Sequence, residues 1–194
     1  MSMGDFRQRL FQYRGYTPIP FLLVMVAFAM PLLPTFVLGV VVLAIGEFTR
    51  FWGVAYAGPL TRVTGGVGAP SLVVAGPFSF VRNPLYVGNI LMYVGIGIMA
   101  GALNPWLVIA AAVYFIFQYS MIVSLEEEFL DKQFGEAYTE YRKNVPRFMP
   151  RLTPWTPGSQ AGQLPDWNGA IRSEKRTFQA IALVSLLIVV RWIW

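Results

Sequence analysis

The 194-residue chain contains no cysteine and no histidine. Without cysteine it has no disulfide bond, thiol nucleophile or thiolate ligand, and without histidine it has no imidazole base, so no metal site is expected. Charged residues are also scarce, at 13%, against about 25% in ordinary soluble domains. Hydrophobic residues make up 56%. The chain has too little polar surface for a water-exposed globule, and its composition indicates a membrane protein.

Five apolar stretches predict an all-α, polytopic membrane protein with about five transmembrane helices. A spanning helix needs roughly 20 apolar residues, with a range of about 17 to 25. The second, third and fourth stretches reach this length, the fifth just does, and the first is shorter. The stretches run from Pro18 to Met30, Thr35 to Ala57, Leu85 to Leu103, Pro105 to Ser124 and Phe178 to Trp194.

The basic residues predict which helix ends face the cytoplasm. The short connections after the first and third stretches carry no charge, whereas the amino terminus and the two long loops hold nearly all the arginines and lysines. Positive charge is typical of cytoplasmic loops. We therefore expect the amino terminus and long loops in the cytoplasm and the carboxyl terminus on the opposite side. Because topology explains the net charge of +5, no nucleic-acid partner is expected.

The loop before the third stretch ends in FVRNPLY, residues Phe80 to Tyr86. Asn83 is a favoured N-cap residue, and Pro84 suits the first helical position, where its missing N–H costs nothing. On this interpretation Arg82 simply lies among the lipid headgroups. The same residues also fit an anion site, because the N–H groups at a helix amino terminus attract negative charge.

Three consecutive glutamates, Glu126 to Glu128, follow the fourth stretch where its helix leaves the bilayer. They are either a solvated exit turn or part of a site. Glu126 continues a stripe of i, i+4 spacing through Ile122, Gln118 and Tyr114. Polar groups at membrane depth tend to face a cavity or a partner helix, which favours a site. The aromatic residues after the glutamates predict an amphipathic helix on the membrane surface.

Two further patterns lie inside the apolar stretches. Glu47 and Arg50 are three residues apart in the second stretch, which predicts either a local ion pair or a pair of site residues. Gly97 and Gly101 form a GxxxG pattern in the third stretch. In membrane helices this pattern usually marks close helix packing.

Taken together, GPFSFVRNPLYVG and, about 40 residues later, EEEFLDKQFGEAYTEYRKNVPRFMP resemble the integral-membrane methyltransferases. That superfamily includes isoprenylcysteine carboxyl methyltransferase and the phospholipid (phosphatidylethanolamine) N-methyltransferases. The shared pattern is R-(H/N)-P-x-Y-x-G, then E-E-x-x-L-x-x-x-F-G-x-x-Y, then R-x-x-P. The resemblance implies a single integral-membrane domain over residues 1–194, with a motif core at 47–150 and a carboxyl-terminal loop and extra helix at 151–194.

The resemblance implies S-adenosylmethionine as methyl donor, S-adenosylhomocysteine as product, and a donor site at the cytoplasmic face between the two motifs. Many members have histidine at the position of Asn83, so no role that needs an imidazole is expected here. The residues that the resemblance assigns to the donor are Val73, Val74, Gly76, Phe78, Arg82, Asn83, Pro84, Tyr86, Glu126 and Glu127.

The expected acceptor is a membrane lipid or a lipophilic small molecule. The alternatives are an isoprenoid carboxylate, a phospholipid headgroup amine, and a small lipophilic thiol or phenol. A carboxylate acceptor, such as an isoprenoid acid, needs no base and is slightly favoured by the absence of histidine. A phospholipid headgroup amine needs Glu126, Glu127 or Tyr86 as proton acceptor. Outside the enzymes, the alternative is a non-catalytic membrane protein that binds lipid or a subunit. The candidate catalytic residues are Tyr86, Glu127 and Arg147, and the candidate acceptor-binding residues are Glu47, Arg50, Tyr114 and Gln118.

Overall fold

The computed structural model describes residues 3–58, 68–158 and 162–194. These residues form six α-helices and one 3-10 turn, and none of them forms a strand. The predicted all-helical class is therefore confirmed, and the five apolar stretches correspond to α2 to α6. The elements are α1 (Met3–Tyr13), α2 (Pro18–Ala27), α3 (Leu33–Ala57), the 3-10 turn (Gly76–Ser79), α4 (Pro84–Ala100), α5 (Trp106–Asn144) and α6 (Trp167–Ile193).

Three of these helices, α3, α5 and α6, are long and apolar enough to cross a membrane. The other two apolar helices are shorter: α2 has 10 residues and α4 has 17. At about 1.5 Å per residue, α4 is about 26 Å long, close to the hydrocarbon thickness of a bilayer, roughly 30 Å. The outer faces of the helices keep large apolar side chains exposed, among them Val37, Ile116 and Leu183. These are the features of a polytopic membrane protein.

Glycines allow α3 and α4 to pack backbone to backbone. A Cβ atom added at Gly46 would lie 2.8 Å from the carbonyl oxygen of Gly88, and one added at Gly88 would lie 2.6 Å from that of Gly46. Seven residues away on each helix, Gly39 and Gly95 meet in the same way. Small residues let membrane helices approach this closely. The contact places the carboxyl-terminal part of α3 beside the start of α4.

The predicted GxxxG pair plays a different part in the packing. Gly97 faces side chains of the neighbouring helices, Val108 of α5 and Met25 of α2. Gly101 has a φ of +62° and ends α4 in the left-handed conformation that favours glycine. A Cβ at Gly101 would also lie 2.6 Å from the Met30 carbonyl oxygen, so close packing is seen at both glycines. The backbones of α3 and α4 meet at the other glycines, those spaced seven apart.

The predicted amphipathic helix is the second part of α5, from Phe129 onward. α5 runs for 39 residues, and its helical geometry is broken at Gly135 (φ +52°, ψ −118°). Beyond the break, Tyr138 and Tyr141 pack against Val74 in the loop before α4. The Tyr141 hydroxyl donates a hydrogen bond to the Phe78 carbonyl at 2.8 Å. Burial raises the pKa of the Tyr141 phenol, so it keeps its proton at neutral pH. α5 thereby holds the loop in place.

The segment after α5 returns along the same loop, and α6 then packs against α3. The start of α6 is held against α3 by Asp166, whose N–H donates to the Ala55 carbonyl of α3 at 2.8 Å. Arg62, one of the basic residues behind the topology prediction, lies outside the described residues. Three backbone hydrogen bonds join the returning segment to the loop: Arg82 N–H to Pro146 (2.9 Å), Arg151 N–H to Phe80 (3.0 Å) and Trp155 N–H to Ser79 (3.0 Å).

Candidate active site

A cavity of about 280 Å³ lies where the loop before α4 meets the ends of the helices. This is close to the lower end of the usual range for small-molecule sites, about 300–1,000 Å³. The wall combines apolar side chains with charged groups of both signs. Its apolar members include Phe11, Leu72, Val73, Phe78, Leu85 and Leu130, and its polar members include Arg14, Arg50, Arg82, Asn83, Tyr86, Asn89 and Glu126.

Six of the ten predicted donor residues line this cavity: Val73, Phe78, Arg82, Asn83, Tyr86 and Glu126. The other four, Val74, Gly76, Pro84 and Glu127, do not line it. Gly76 has a φ of +59°, and a Cβ there would overlap the ring of Tyr56, which is itself a wall residue. Glycine at this position therefore lets the chain turn directly against the cavity wall.

Asn83 and Pro84 start α4 where the sequence predicted, but the Asn83 side chain does not cap the helix. Its Nδ2 instead donates to the Arg147 carbonyl at 3.1 Å. Pro84 occupies the first helical position, as expected. Asn83 consequently ties the R-x-x-P segment after α5 to the start of α4, so two parts of the predicted motif meet through one side chain.

Tyr86 and Glu126 join the two motifs inside the cavity wall. The Tyr86 hydroxyl donates to Glu126 Oε1 at 2.6 Å. The Tyr86 ring packs against Tyr119, with the ring centroids 4.8 Å apart. A phenol and a carboxylate in this contact form a group that can share or accept a proton.

Glu127 is buried outside the cavity wall, with 7% of its surface exposed, and pairs with two arginines. Arg82 donates to its Oε1 from Nε (3.2 Å) and Nη2 (2.9 Å). Arg147 donates to Oε1 from Nε at 3.2 Å, and its Nη2 pairs with Oε2. Arg82 also donates to the carbonyls of Arg142 and Val145. This geometry favours Glu127 and Arg147 as residues that position Arg82, and their predicted catalytic role stays a prediction.

Of the predicted acceptor residues, Arg50 lines the cavity. Its Nε and Nη2 donate to Glu174 of α6 at 3.1 and 2.9 Å, and its Nη1 donates to Asn89 Oδ1 at 2.9 Å. The Glu174 side chain is fully buried. Glu47 is buried in α3 one turn before Arg50. The pairing of Arg50 with an acid was expected, but the structure assigns that acid to a helix 124 residues away in the chain.

Tyr114 and Gln118 do not line the cavity. The Tyr114 ring lies 5.2 Å from the ring of Phe21 in α2. Gln118 is completely buried and accepts a hydrogen bond from Thr17 Oγ1 at 2.9 Å. The predicted stripe on α5 therefore faces the amino-terminal helices over most of its length, and only Glu126 at its end reaches the cavity.

Sequence reasoning missed Arg14, Asn89 and Glu174. Asn89 had a usable signal, because it is a polar residue inside an apolar stretch and lies three positions after Tyr86 on the same helix face. Arg14 entered the sequence analysis only as one of the basic residues that predict the cytoplasmic side. Glu174 precedes the fifth apolar stretch, and no local pattern connects it to Arg50.

The helices and the cavity define this chain as a polytopic membrane protein with a ligand-sized cavity of mixed charge beside its membrane segments. A family model described as phospholipid methyltransferase matches residues 34–137, from α3 to the second part of α5. The chain belongs to this family. Both cavity motifs up to Glu126 fall within the matched region, whereas α1, α2 and α6 lie outside it.

Individual curated relatives also match parts of the chain. The chain is 36% identical over 123 residues to the cobalt-zinc-cadmium resistance protein CzcN of Cupriavidus metallidurans, which is 63% of this chain and 51% of that protein. It is 32% identical over 81 residues to the protein-S-isoprenylcysteine O-methyltransferase of Schizosaccharomyces pombe, 42% of this chain and 34% of that one. The chain thus spans about half the length, or less, of these relatives. No solved structure matches it.

Proposed function

We propose that this protein transfers a methyl group from S-adenosylmethionine to a lipophilic acceptor in the membrane. The observation that carries the proposal is that both predicted motifs contribute to one cavity, with Arg82, Asn83 and Tyr86 from one motif and Glu126 from the other. Membership of the phospholipid methyltransferase family supports it, as does the similarity to an isoprenylcysteine O-methyltransferase. The basic loops support a donor site that opens to the cytoplasm.

The chemistry of the wall fits this donor, which has a carboxylate, an ammonium, a sulfonium, a ribose and an adenine. Arg82 and the N–H groups of Leu85 and Tyr86 at the start of α4 suit the carboxylate. Glu126 suits the ammonium or the ribose hydroxyls through charge-assisted hydrogen bonds. Val73 and Phe78 provide apolar surface for the adenine.

When bound, the donor supplies an activated methyl group, and the chain contributes positioning and exclusion of water. Glu127 holds Arg82 and Arg147 together, which fixes the guanidinium of Arg82 at the cavity wall. Tyr86 fixes one carboxylate oxygen of Glu126 by its hydrogen bond. These contacts preorganise the charged groups before any ligand binds.

Arg50 and Asn89 suit the headgroup of the acceptor, because they lie on the wall where α3 and α4 enter the apolar bundle. If the acceptor is a carboxylate, it arrives deprotonated and requires no base. If it is an amine, Glu126 is the carboxylate in the wall that is placed to take its proton. The wall groups therefore suit both a carboxylic acid and a headgroup amine.

Two relatives are named for metal resistance, CzcN and the nickel-cobalt-cadmium resistance protein NccN of Alcaligenes xylosoxydans xylosoxydans. Among the residues that the structure describes, no three acidic side chains come together in a group that could hold a metal ion. Our proposal therefore assigns the cavity to methyl transfer rather than to metal binding.

Binding of labelled S-adenosylmethionine to the purified protein in lipid nanodiscs tests the donor. We expect Glu126→Ala to weaken binding by about tenfold or more, because a charge-assisted contact in the cavity is lost. The matched control is Glu128→Ala, since the exposed Glu128 pairs with Arg7 outside the cavity wall. Equal affinity in both variants, or no binding to the unsubstituted protein at millimolar donor, would contradict the proposal.

The acceptor class is tested by adding methyl-labelled donor to membranes that contain the protein and extracting the lipids. A base-labile label identifies a methyl ester and therefore a carboxylate acceptor. A base-resistant label that is recovered in the phospholipid headgroup identifies a methylated amine, and one on a small lipophilic compound identifies a thiol or phenol. Membranes that contain the Glu126→Ala variant provide the background, and equal labelling with this variant would contradict methyl transfer in this cavity.

A further inference from the structure

The loop before α4 contains a stretch, residues 68–75, that has neither helix nor strand yet contributes much of the cavity wall. We name it the roof segment. Leu72 and Val73 line the cavity, and the next two residues, Val74 and Ala75, are buried. Buried backbone N–H and C=O groups require hydrogen-bond partners. Because the segment has no strand partner, its shape depends on side chains from elsewhere in the chain.

A single side chain, that of Gln163, satisfies three of these backbone groups. Its Oε1 accepts from the N–H of Val74 at 3.0 Å and from the N–H of Ala75 at 3.1 Å, and its Nε2 donates to the Leu72 carbonyl at 3.1 Å. A glutamine amide carries an acceptor and a donor side by side, as a peptide group does. Gln163 therefore replaces the missing neighbouring strand.

Both ends of this arrangement are anchored. Three residues after Gln163, Asp166 is bonded to the Ala55 carbonyl of α3 and accepts from the Gly169 N–H at the start of α6. At the other end of the roof segment, Gln133 of α5 donates to the Ala69 carbonyl at 2.7 Å. Gln163 thus connects the cavity wall to a fixed point at the junction of α3 and α6.

We propose that Gln163 is a positioning residue that holds the roof segment over the bound donor and slows its release. This rests on the proposed function, since it assumes that the donor binds in the cavity. Gln163 lies beyond the matched family region, residues 34–137. The carboxyl-terminal part of this chain is accordingly a component of the donor site and not only an additional membrane anchor.

Amide hydrogen exchange tests the contact itself, without any ligand. In Gln163→Ala we expect the N–H groups of Val74 and Ala75 to exchange about tenfold faster, because the acceptor of both is removed. In Gln163→Glu one oxygen still accepts from both N–H groups, but the second oxygen faces the Leu72 carbonyl. We therefore expect an exchange rate between those of the unsubstituted protein and Gln163→Ala. The matched control is Gln179→Ala, an exposed glutamine of α6. Unchanged exchange at both amides in Gln163→Ala would overturn the proposal.

Release of the product, S-adenosylhomocysteine, from the donor site tests whether Gln163 slows ligand release. Labelled S-adenosylhomocysteine is bound to the protein in nanodiscs and displaced with excess unlabelled compound. We expect dissociation to be about tenfold faster in Gln163→Ala, intermediate in Gln163→Glu and unchanged in Gln179→Ala. Unchanged dissociation in Gln163→Ala, despite faster amide exchange, would overturn the positioning role.

Two further results separate this proposal from its assumptions. If Gln163→Ala lost its folded state, seen as aggregation or a lost melting transition, Gln163→Glu would decide the question by the same two measurements. If the unsubstituted protein bound neither S-adenosylmethionine nor S-adenosylhomocysteine, the proposed function would fail. The role of Gln163 in ligand release would then fail too, even if amide exchange changed as expected.

Discussion

Three neighbouring glutamates have three different environments in this protein. Glu126 lines the cavity, Glu127 is buried against two arginines, and Glu128 lies on the surface, where it pairs with Arg7 of α1. The reason is helical geometry, since 3.6 residues per turn place successive side chains about 100° apart. The resemblance implied a pair of ligand-binding glutamates, whereas the structure places Glu126 in the cavity wall and pairs Glu127 with Arg82 and Arg147.

Glu127 is expected to contribute more to stability than either neighbour. Glu127→Ala leaves the buried Arg82 without its carboxylate partner, and breaking a buried ion pair in this way costs about 3 kcal/mol or more. The melting temperature of the detergent-solubilised protein should fall clearly below that of Glu128→Ala, whose ion pair is exposed. Similar melting temperatures for the two variants would show that the Glu127 cluster does not stabilise the fold.

Glu174 is expected to act through Arg50. In Glu174→Ala the guanidinium loses two of its three hydrogen-bond contacts, so the acceptor KM should rise by about tenfold while donor affinity stays the same. Glu174→Gln keeps one acceptor oxygen, so its acceptor KM should lie between those of the unsubstituted protein and Glu174→Ala. The control is Glu140→Ala, an exposed glutamate of α5. A matching loss of donor affinity in Glu174→Ala would argue for general disruption instead.

At the scale of elements, the contact between α3 and α4 brings Arg50 beside Asn89. This contact depends on glycines spaced seven residues apart on both helices, which place the two backbones in direct contact. The GxxxG pattern marks other close contacts, because Gly97 packs against Val108 and Met25 and Gly101 lies against the Met30 backbone. A heptad of small residues becomes recognisable only once the partner helix is known.

A larger side chain at this interface should separate the helices. In Gly46→Leu the added atoms would overlap the backbone of α4, and overpacking of this kind costs about 1–3 kcal/mol. We expect a lower melting temperature and weaker donor binding, because the start of α4 moves. The matched control is Gly15→Leu, a position with no atom within 4 Å of an added Cβ. Equal effects at the two positions would contradict the close approach of α3 and α4.

At the scale of the whole molecule, elements outside the matched family region complete the cavity. Phe11 and Arg14 extend the wall from the amino-terminal side. Glu174 and Gln163 hold the wall from the carboxyl-terminal side. The motif core thus supplies Arg50, Arg82 and Glu126 to the wall, and the terminal parts of the chain add Arg14 and hold the wall in place.

The topology can be tested with single cysteines, because the chain contains none of its own. Asn104, in the short turn between α4 and α5, and Lys132, in the second part of α5, are both exposed. In sealed vesicles, a membrane-impermeant maleimide should label Asn104→Cys and Lys132→Cys from opposite sides. Labelling of both from the same side would contradict the proposed arrangement, and labelling after detergent treatment provides the control.

Much of the fold and the outline of the site could be predicted from the sequence. Apolar lengths gave α2, α3 and α4 to within a few residues. They did not give α1, and they missed two long extensions, since α5 continues past Ser124 to Asn144 and α6 begins at Trp167 rather than Phe178. The resemblance to the integral-membrane methyltransferases gave six of the cavity residues. The roles of Glu127, Tyr114 and Gln118 could not be predicted in this way, because a helix face is visible in the sequence but the element that packs on it is not.

The sequence by itself determined the membrane class, the helices and the two motifs, because apolar length, helix-start residues and short spacings act locally. Only the tertiary structure decided which acid holds Arg50 and which side chain holds the roof segment. These partners are 124 positions apart for Arg50 and Glu174 and 89 apart for Val74 and Gln163. Such pairs form because a buried charge or backbone N–H must find a partner wherever the packed helices bring one near.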